Sequence, residues 1–133
     1  MWIKHILNPK TITSIYPAEP PSLAQVQLYE VVIVCGVDLQ CKLNFDLKDF
    51  PADAPIKWSQ RKYNTVQLSL NLIQTELIQC TIPSGSAIGD LSIIHDGARF
   101  QITFTIQPQG VVFQATATWI HVDNITGYRK EQA

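Results

Sequence analysis

Alternation of apolar and polar side chains is the feature that most constrains the fold of this chain. It is clearest over residues 37–47, where every second residue is apolar: Val37, Leu39, Cys41, Leu43, Phe45 and Leu47. The positions between them are polar: Asp38, Gln40, Lys42, Asn44 and Asp46. Because successive side chains of a β-strand point to opposite faces, this period of two predicts a strand with one buried face.

Similar strand patterns recur along the rest of the chain. They cover residues 23–34, 66–72, 76–82, 91–96, 98–107 and 111–122. Asp96-Gly97 lies between two of these runs and fits the tight turn of a hairpin. We therefore predict a mainly β chain, an antiparallel meander of seven or eight strands. It would form either one curled sheet or a two-layer sandwich.

Helical pattern is confined to the N-terminal region. Asn8-Pro9 is a helix-start signal and predicts one short helix over residues 9–16, ended by Pro17. Residues 48–63 contain Pro51 and Pro55 and are predicted to form a long surface loop. A length of 133 residues suits a single β domain, residues 1–133, with a polar tail at 124–133 that we expect to fray.

Composition excludes several classes of partner and environment. The formal net charge is −1, and the ten basic residues form no stripe, so we expect no binding to nucleic acid. No apolar run approaches the ~18 residues needed to span a bilayer. The N-terminal residues lack the pattern of a signal peptide, and three cysteines without a CxxC spacing suit a reducing compartment. We expect a cytoplasmic protein with no membrane partner.

Catalytic patterns are missing from the sequence. The histidines, His5, His95 and His121, do not stand at metal-binding spacing, and the Ser84-Gly85-Ser86 segment lacks the context of a nucleophile elbow. We expect no catalytic residue, no metal and no cofactor, and hence no enzyme. A small-ligand binder or an enzyme with its site inside a curled sheet remains the alternative.

The predicted loop carries the first set of candidate partner-binding residues: Asp49, Asp53, Lys57, Trp58, Arg61 and Tyr63. The two aspartates belong to a solvated loop or to an acidic patch that faces a protein. Trp58 is either a lid packed over one end of the sheet or an anchor in an interface, because Trp, Tyr and Arg dominate binding hot spots. Trp2 and Trp119, by contrast, suit the core or its edge.

Uncharged polar side chains on three predicted strands form the second set. The candidates for binding among them are Gln67, Thr103, Thr105, Thr116 and Thr118. If the strands are neighbours, these residues form a broad, neutral, hydrogen-bonding face. Such a face is either solvated or docked against another protein, since exposed sheets usually carry charges that oppose aggregation.

The order of several features resembles a known family. It runs from Trp2 through Ile15-Tyr16 and Pro21-Ser22-Leu23, then Pro55-x-Lys57-Trp58, to an alternating strand led by Asn64. This order resembles the immunity protein 50 family of small cytosolic bacterial proteins associated with polymorphic toxin systems.

The resemblance implies a non-enzymatic immunity protein that binds and neutralises a cognate toxin by protein–protein contact. It transfers no binding residue and does not name the toxin. Because many nuclease toxins are basic and select acidic inhibitors, the net charge of −1 argues against a nuclease target. A subunit of a homo-oligomeric assembly, such as a homodimer, stays open as a further interpretation.

Overall fold

The computed structural model describes residues 2–85 and 87–131. A 3₁₀ helix at Trp2–His5 and a one-turn helix, α1 (Lys10–Thr13), precede the strands, and a second short helix, α2 (Ile56–Gln60), lies among them. The strands are β1 (Val26–Val34), β2 (Gln40–Asp46), β3 (Thr65–Cys80), β4 (Ile88–His95), β5 (Phe100–Ile106) and β6 (Gly110–Tyr128). Within these residues, no helix combines the length and apolar content that a bilayer crossing requires.

The strands form one closed antiparallel barrel in the order β1-β2-β3-β6-β5-β4. Between β1 and β4, the described residues pair at two positions, Val26 with Gly89 and Gln27 with Ile88. The mainly β antiparallel class is therefore confirmed, and one curled sheet rather than two layers is formed. Six strands are present in the described residues instead of the seven or eight predicted.

Two of the predicted strands, residues 66–72 and 76–82, form the single strand β3, and this accounts for part of the lower count. The chain does not break between them but bends at Gln74, whose φ of 53° lies in the left-handed region. Leu72 and Thr75 are both buried on either side of this bend, so the alternation changes phase there. A local irregularity of this kind re-aims side chains without ending the pairing.

Strand β6 changes phase opposite the bend of β3. Ala117 and Ile120 are both buried, and the intervening Trp119, which pairs with Ile73, is 48% exposed. The placement of Trp119 in the core or at its edge was therefore wrong. The apolar pattern continued through Trp119 in the sequence, whereas the strand is bent at this point.

The barrel interior is filled by the alternating residues that the sequence identified. Cys41, Leu43 and Phe45 of β2 are buried against Leu68, Leu70 and Leu72 of β3. Phe104 and Phe113 close the other side of the core without measurable exposure. The prediction of an apolar inward face is thus correct for the paired parts of these strands.

The first part of the strongest alternating run lies outside the barrel. β2 begins at Gln40, not at residue 37, and Val37 is fully exposed in the turn of the β1–β2 hairpin. The last inter-strand pair of that hairpin joins Val34 to Gln40. An alternating pattern buries a face only where another part of the chain covers it, and nothing in the described residues covers Val37.

Segments near the first and the last described residues are tied to the barrel. The side chain of Asn8 accepts a hydrogen bond from the Val122 amide at 2.8 Å and donates one to its carbonyl at 3.0 Å. Asn64 bonds the backbone of Lys130 in the same reciprocal way. The tail expected to fray from residue 124 is part of β6 as far as Tyr128, because it pairs with the start of β3. Residues 132 and 133 lie outside the described residues.

Candidate functional site

Residues 48–63, here called the lid segment, cross one end of the barrel. They were predicted as a loop throughout, but they contain α2, which begins after the extended Pro55 and ends at Gln60, with Arg61 as its C-cap. Lys62 then takes a φ of 57°, and the Tyr63 amide donates to the Trp58 carbonyl at 2.9 Å. The turn after the helix thus folds the segment back towards β3 and gives it a defined shape.

Trp58 holds the lid segment against the barrel. Its half-buried indole ring lies over Gly127 of β6, where a Cβ atom would come within 2.7 Å of the ring. Phe50 and Tyr63 flank the indole, with ring centroids 6.2 Å and 6.5 Å away. The structure therefore places Trp58 as a lid, with part of the ring still open to solvent.

A groove with a volume of about 450 Å³ lies beside the lid segment. Its walls are residues 15–21 and 49–53, which bring together Tyr16, Phe50 and several prolines. The hydroxyl of Tyr16 donates to the Asp49 carbonyl at 2.6 Å and joins the two walls. Burial, with a smaller contribution from Asp49, raises the pKa of Tyr16 above its ordinary value, so this phenol stays a donor.

The groove is acidic. Glu19, Asp49 and Asp53 line it, and no basic residue of the described chain does so. The sequence placed Asp49 and Asp53 together but did not connect Glu19 to them, because it lies thirty residues earlier in the chain. Asp46, a third aspartate close to these two in the sequence, lies elsewhere on the barrel wall.

The remaining lid candidates lie next to Trp58. Lys57 precedes it in α2, and the Arg61 guanidinium donates to the Tyr63 hydroxyl at 3.2 Å on the surface. That hydrogen bond raises the pKa of Arg61, which stays protonated in any case. All six lid candidates therefore lie in one folded segment at one end of the barrel.

The second set of candidates is divided between two places. The order β3-β6-β5 makes the three predicted strands neighbours, and Thr103 pairs with Gln114 while Gln101 pairs with Thr116. Thr105 continues the row on β5, but Thr116 is buried rather than open. These residues form a neutral outer face on one half of the barrel, as the sequence led us to expect if the strands were adjacent.

Gln67 does not share that face, whereas Thr118 follows Thr116 on the same side of β6, at the edge of the face. Gln67 lies on the other half of β3, where it pairs with Asp46 of β2 and Thr126 of β6. Thr118 lies at the bend of β6, next to the exposed Trp119. The bends in β3 and β6 separate the two halves of the barrel wall, so the broad face that was predicted is smaller than expected.

A polar cluster that the sequence did not predict surrounds Asp46. This carboxylate is 3% exposed although it points outward, because Tyr128 and Lys130 cover it and bind its Oδ2. Lys130 also donates to Gln27 and lies 5.4 Å from the centre of the Tyr29 ring. Burial and the bond to Asp46 raise the pKa of Tyr128. The residues come from three distant segments, and only the strand order β1-β2-β3-β6 of the barrel brings them together.

Two of the histidines come together although the sequence did not pair them. The rings of His5 and His95 stack with centroids 6.3 Å apart, and Phe100 packs against both. Burial, Lys4 and the nearby His95 lower the pKa of His5. Among the described residues, no three histidine, cysteine or acidic side chains are arranged to hold a metal ion.

The Immunity protein 50 family matches residues 8–128, which include the whole barrel and the lid segment. The chain belongs to this family. No curated protein and no solved structure matches the chain. The resemblance drawn from the Pro55-x-Lys57-Trp58 order and the alternating strands is therefore confirmed at the level of the family.

Proposed function

We propose that this immunity protein 50 family member binds a cognate toxin and neutralises it by protein–protein contact, without catalysis of its own. The observation that carries the proposal is the family match over residues 8–128. In this proposal the protein acts in the cytoplasm of the cell that makes the toxin. The toxin is inhibited because the complex covers or distorts its active site.

The lid segment and its groove are the surface that best fits such a complex. Trp58 and its aromatic neighbours hold the segment against Gly127, so little ordering is required when a partner binds. Ile56 of α2 stands 75% exposed beside them, and Phe50 is exposed at the edge of the groove. An exposed apolar residue next to aromatic and arginine side chains is typical of an interface hot spot.

The charge of the groove indicates what the toxin presents there. Glu19, Asp49 and Asp53 favour a lysine or arginine side chain between walls made of Tyr16, Phe50 and prolines. The net charge of −1 gives little long-range attraction, so the effect is local to the groove. The preference applies to one basic residue of the toxin and does not require a basic toxin as a whole.

A ligand site inside the barrel has no support in the structure. Phe45, Phe104 and Phe113 fill the interior and show no exposure, so the space that a ligand would need is occupied by side chains. The groove beside the lid candidates lies outside the barrel, between the lid segment and residues 15–21. This position suits a side chain of a bound protein.

The proposal expects a toxin gene beside this one, and rescue of a host from that toxin tests it. Co-expression is expected to restore growth, and the two proteins should co-purify. Ile56→Asp should weaken the complex at least tenfold, whereas Ile94→Asp, at another exposed isoleucine on β4, should leave it unchanged. Growth arrest despite soluble protein would overturn the proposed function, and equal effects of the two variants would remove the lid segment as its surface.

A further inference from the structure

Beyond Leu28, one edge of β1 has no strand beside it in the described residues. The Leu28 amide donates to the Ala87 carbonyl, and the two residues before Leu28 pair with β4. On its opposite edge β1 stays paired with β2 as far as Val34. Residues 30–34 therefore present a row of backbone donors and acceptors that can pair with another strand.

The side chains along this free edge are apolar and exposed. Ile33 is 42% exposed and Val34 is 50% exposed, and Val37 stands in solvent at the hairpin turn. Residues 29–37 contain no lysine, arginine or proline, the residues that usually protect an edge from pairing. Their single charge, on Glu30, is bonded to Asn44 of β2.

We propose that this edge pairs with the same edge of a second copy of the chain, antiparallel and centred on Val32. A two-fold interface uses the same surface on both copies and closes after two. The contact would extend the β1–β2 hairpin of each copy into a continuous sheet across the dimer. A pairing of this kind occupies both free edges, so it produces a dimer and not a fibre.

The charges of the edge are compatible with self-pairing in this register. Val32 faces the partner's Val32, Val31 faces the partner's Ile33, and Glu30 faces the partner's Val34. The two Glu30 residues are then four positions apart along the strands, about 13 Å at the rise of a β-strand. No like charges oppose each other, and the cross-strand pairs at the centre are β-branched, which favours pairing.

A second copy is the occupant because the edge is open as soon as the chain folds. An apolar, unprotected edge promotes aggregation unless it is covered, and another copy is present wherever this chain is made. Interfaces of permanent homodimers are more apolar than those of transient complexes, and the single charge of the edge, on Glu30, is already bonded to Asn44 within the same copy. This inference does not depend on the proposed binding of a toxin.

Sedimentation equilibrium over a range of concentrations tests the dimer. The wild-type chain is expected to dimerise, and Val32→Glu should raise the dimer dissociation constant at least tenfold. That substitution places two carboxylates face to face at the centre, while within each copy position 32 pairs with Lys42, so the fold should tolerate it. Val111→Glu, at an exposed valine of β6, serves as the matched control.

The proposed antiparallel register centred on Val32 also predicts how two further variants should behave. Val34→Lys should keep the dimer, because the introduced ammonium faces the partner's Glu30. Val32→Cys, made together with Cys35→Ser and Cys80→Ser, should form a disulfide-linked dimer, since Cα atoms opposite each other in an antiparallel pair are about 4.5–5.5 Å apart. A wild-type chain that stays monomeric, a dimer insensitive to Val32→Glu, or cross-linking no better than with Val111→Cys would overturn the proposal.

Discussion

The indole ring of Trp58 covers Gly127 so closely that a Cβ atom at that position would lie 2.7 Å from the ring. The two residues belong to the lid segment and to the end of β6, and the Asn64 amide, directly after the lid segment, donates to the Tyr128 carbonyl of β6. Glycine is therefore required at position 127, because any side chain there would collide with the indole ring. The contact fixes where the lid segment lies on the barrel, and with it one wall of the acidic groove.

Gly127→Ala should displace the indole and lower the free energy of unfolding by about 1–3 kcal/mol, the usual cost of overpacking a fitted site. Thermal and urea unfolding measure the loss, and the fluorescence of Trp58 should shift as the ring moves. Gly36→Ala is the control, since a Cβ there would meet its nearest atom at 3.7 Å. Equal effects of the two substitutions would contradict the close contact.

Trp58→Ala should lower the free energy of unfolding by about 2 kcal/mol, less than the ~3–5 kcal/mol of a fully buried tryptophan, because the ring is half-buried. It should also weaken toxin binding, since the lid segment loses its attachment to β6. Trp58→Phe should recover most of the stability. A variant with unchanged melting and unchanged binding would show that Trp58 is neither lid nor anchor.

The free energy of unfolding should decrease in alkaline solution, because two tyrosine hydroxyls keep their protons to a higher pH in the folded state than in the unfolded state. The pKa of Tyr16 and that of Tyr128 are both raised, mainly by burial. Their contribution is complete below the ordinary tyrosine pKa of about 10 and is lost as the pH rises above it, when the unfolded chain loses those protons first. Urea midpoints between pH 8 and 11 measure this loss, which should be smaller in Tyr16→Phe. If the urea midpoint of Tyr16→Phe fell with pH as steeply as that of the wild-type protein, the result would argue against the buried Tyr16–Asp49 bond.

The three cysteines should differ in reactivity. Burial raises the pKa of Cys41 to about 11 and removes it from solvent, whereas Cys35 and Cys80 are exposed. Alkylation of the native protein at pH 8 should therefore modify two thiols rapidly, and the third should react only after denaturation. Mass spectrometry of the digested protein identifies the sites. Rapid modification of Cys41 would mean that β2 opens readily from the barrel.

Much of the fold could be predicted because alternation is a local property. Residues 40–46 and 100–106 were identified as strands with the correct inward face, and the turn predicted at Asp96-Gly97 lies within the connection of residues 96–99 between β4 and β5. Two of the errors fall where β3 and β6 bend together. Gln74 and Trp119 interrupt the alternation of β3 and β6 at opposing positions. The alternation of side chains along one strand does not show where the neighbouring strand bends.

The candidate site shows the same division between local and distant contacts. The lid residues were grouped correctly since they follow one another in the chain. The groove could not be foreseen, because its second wall is joined to the first by Tyr16 and Asp49, which are 33 positions apart. The cluster on Asp46 depends on Tyr128, 82 positions later, in a tail that was expected to fray.

The sequence by itself determined the class of the fold, the inward face of most strands and membership of an immunity family. These follow from side-chain periodicity and from an order of residues that needs no partner to be recognised. Only the tertiary structure decided that Trp58 lies on Gly127, that Glu19 joins the acidic groove and that one edge of β1 has no strand beside it in the described residues. Each of these depends on which distant segments meet, and that is set by closure of the barrel and not by any local pattern.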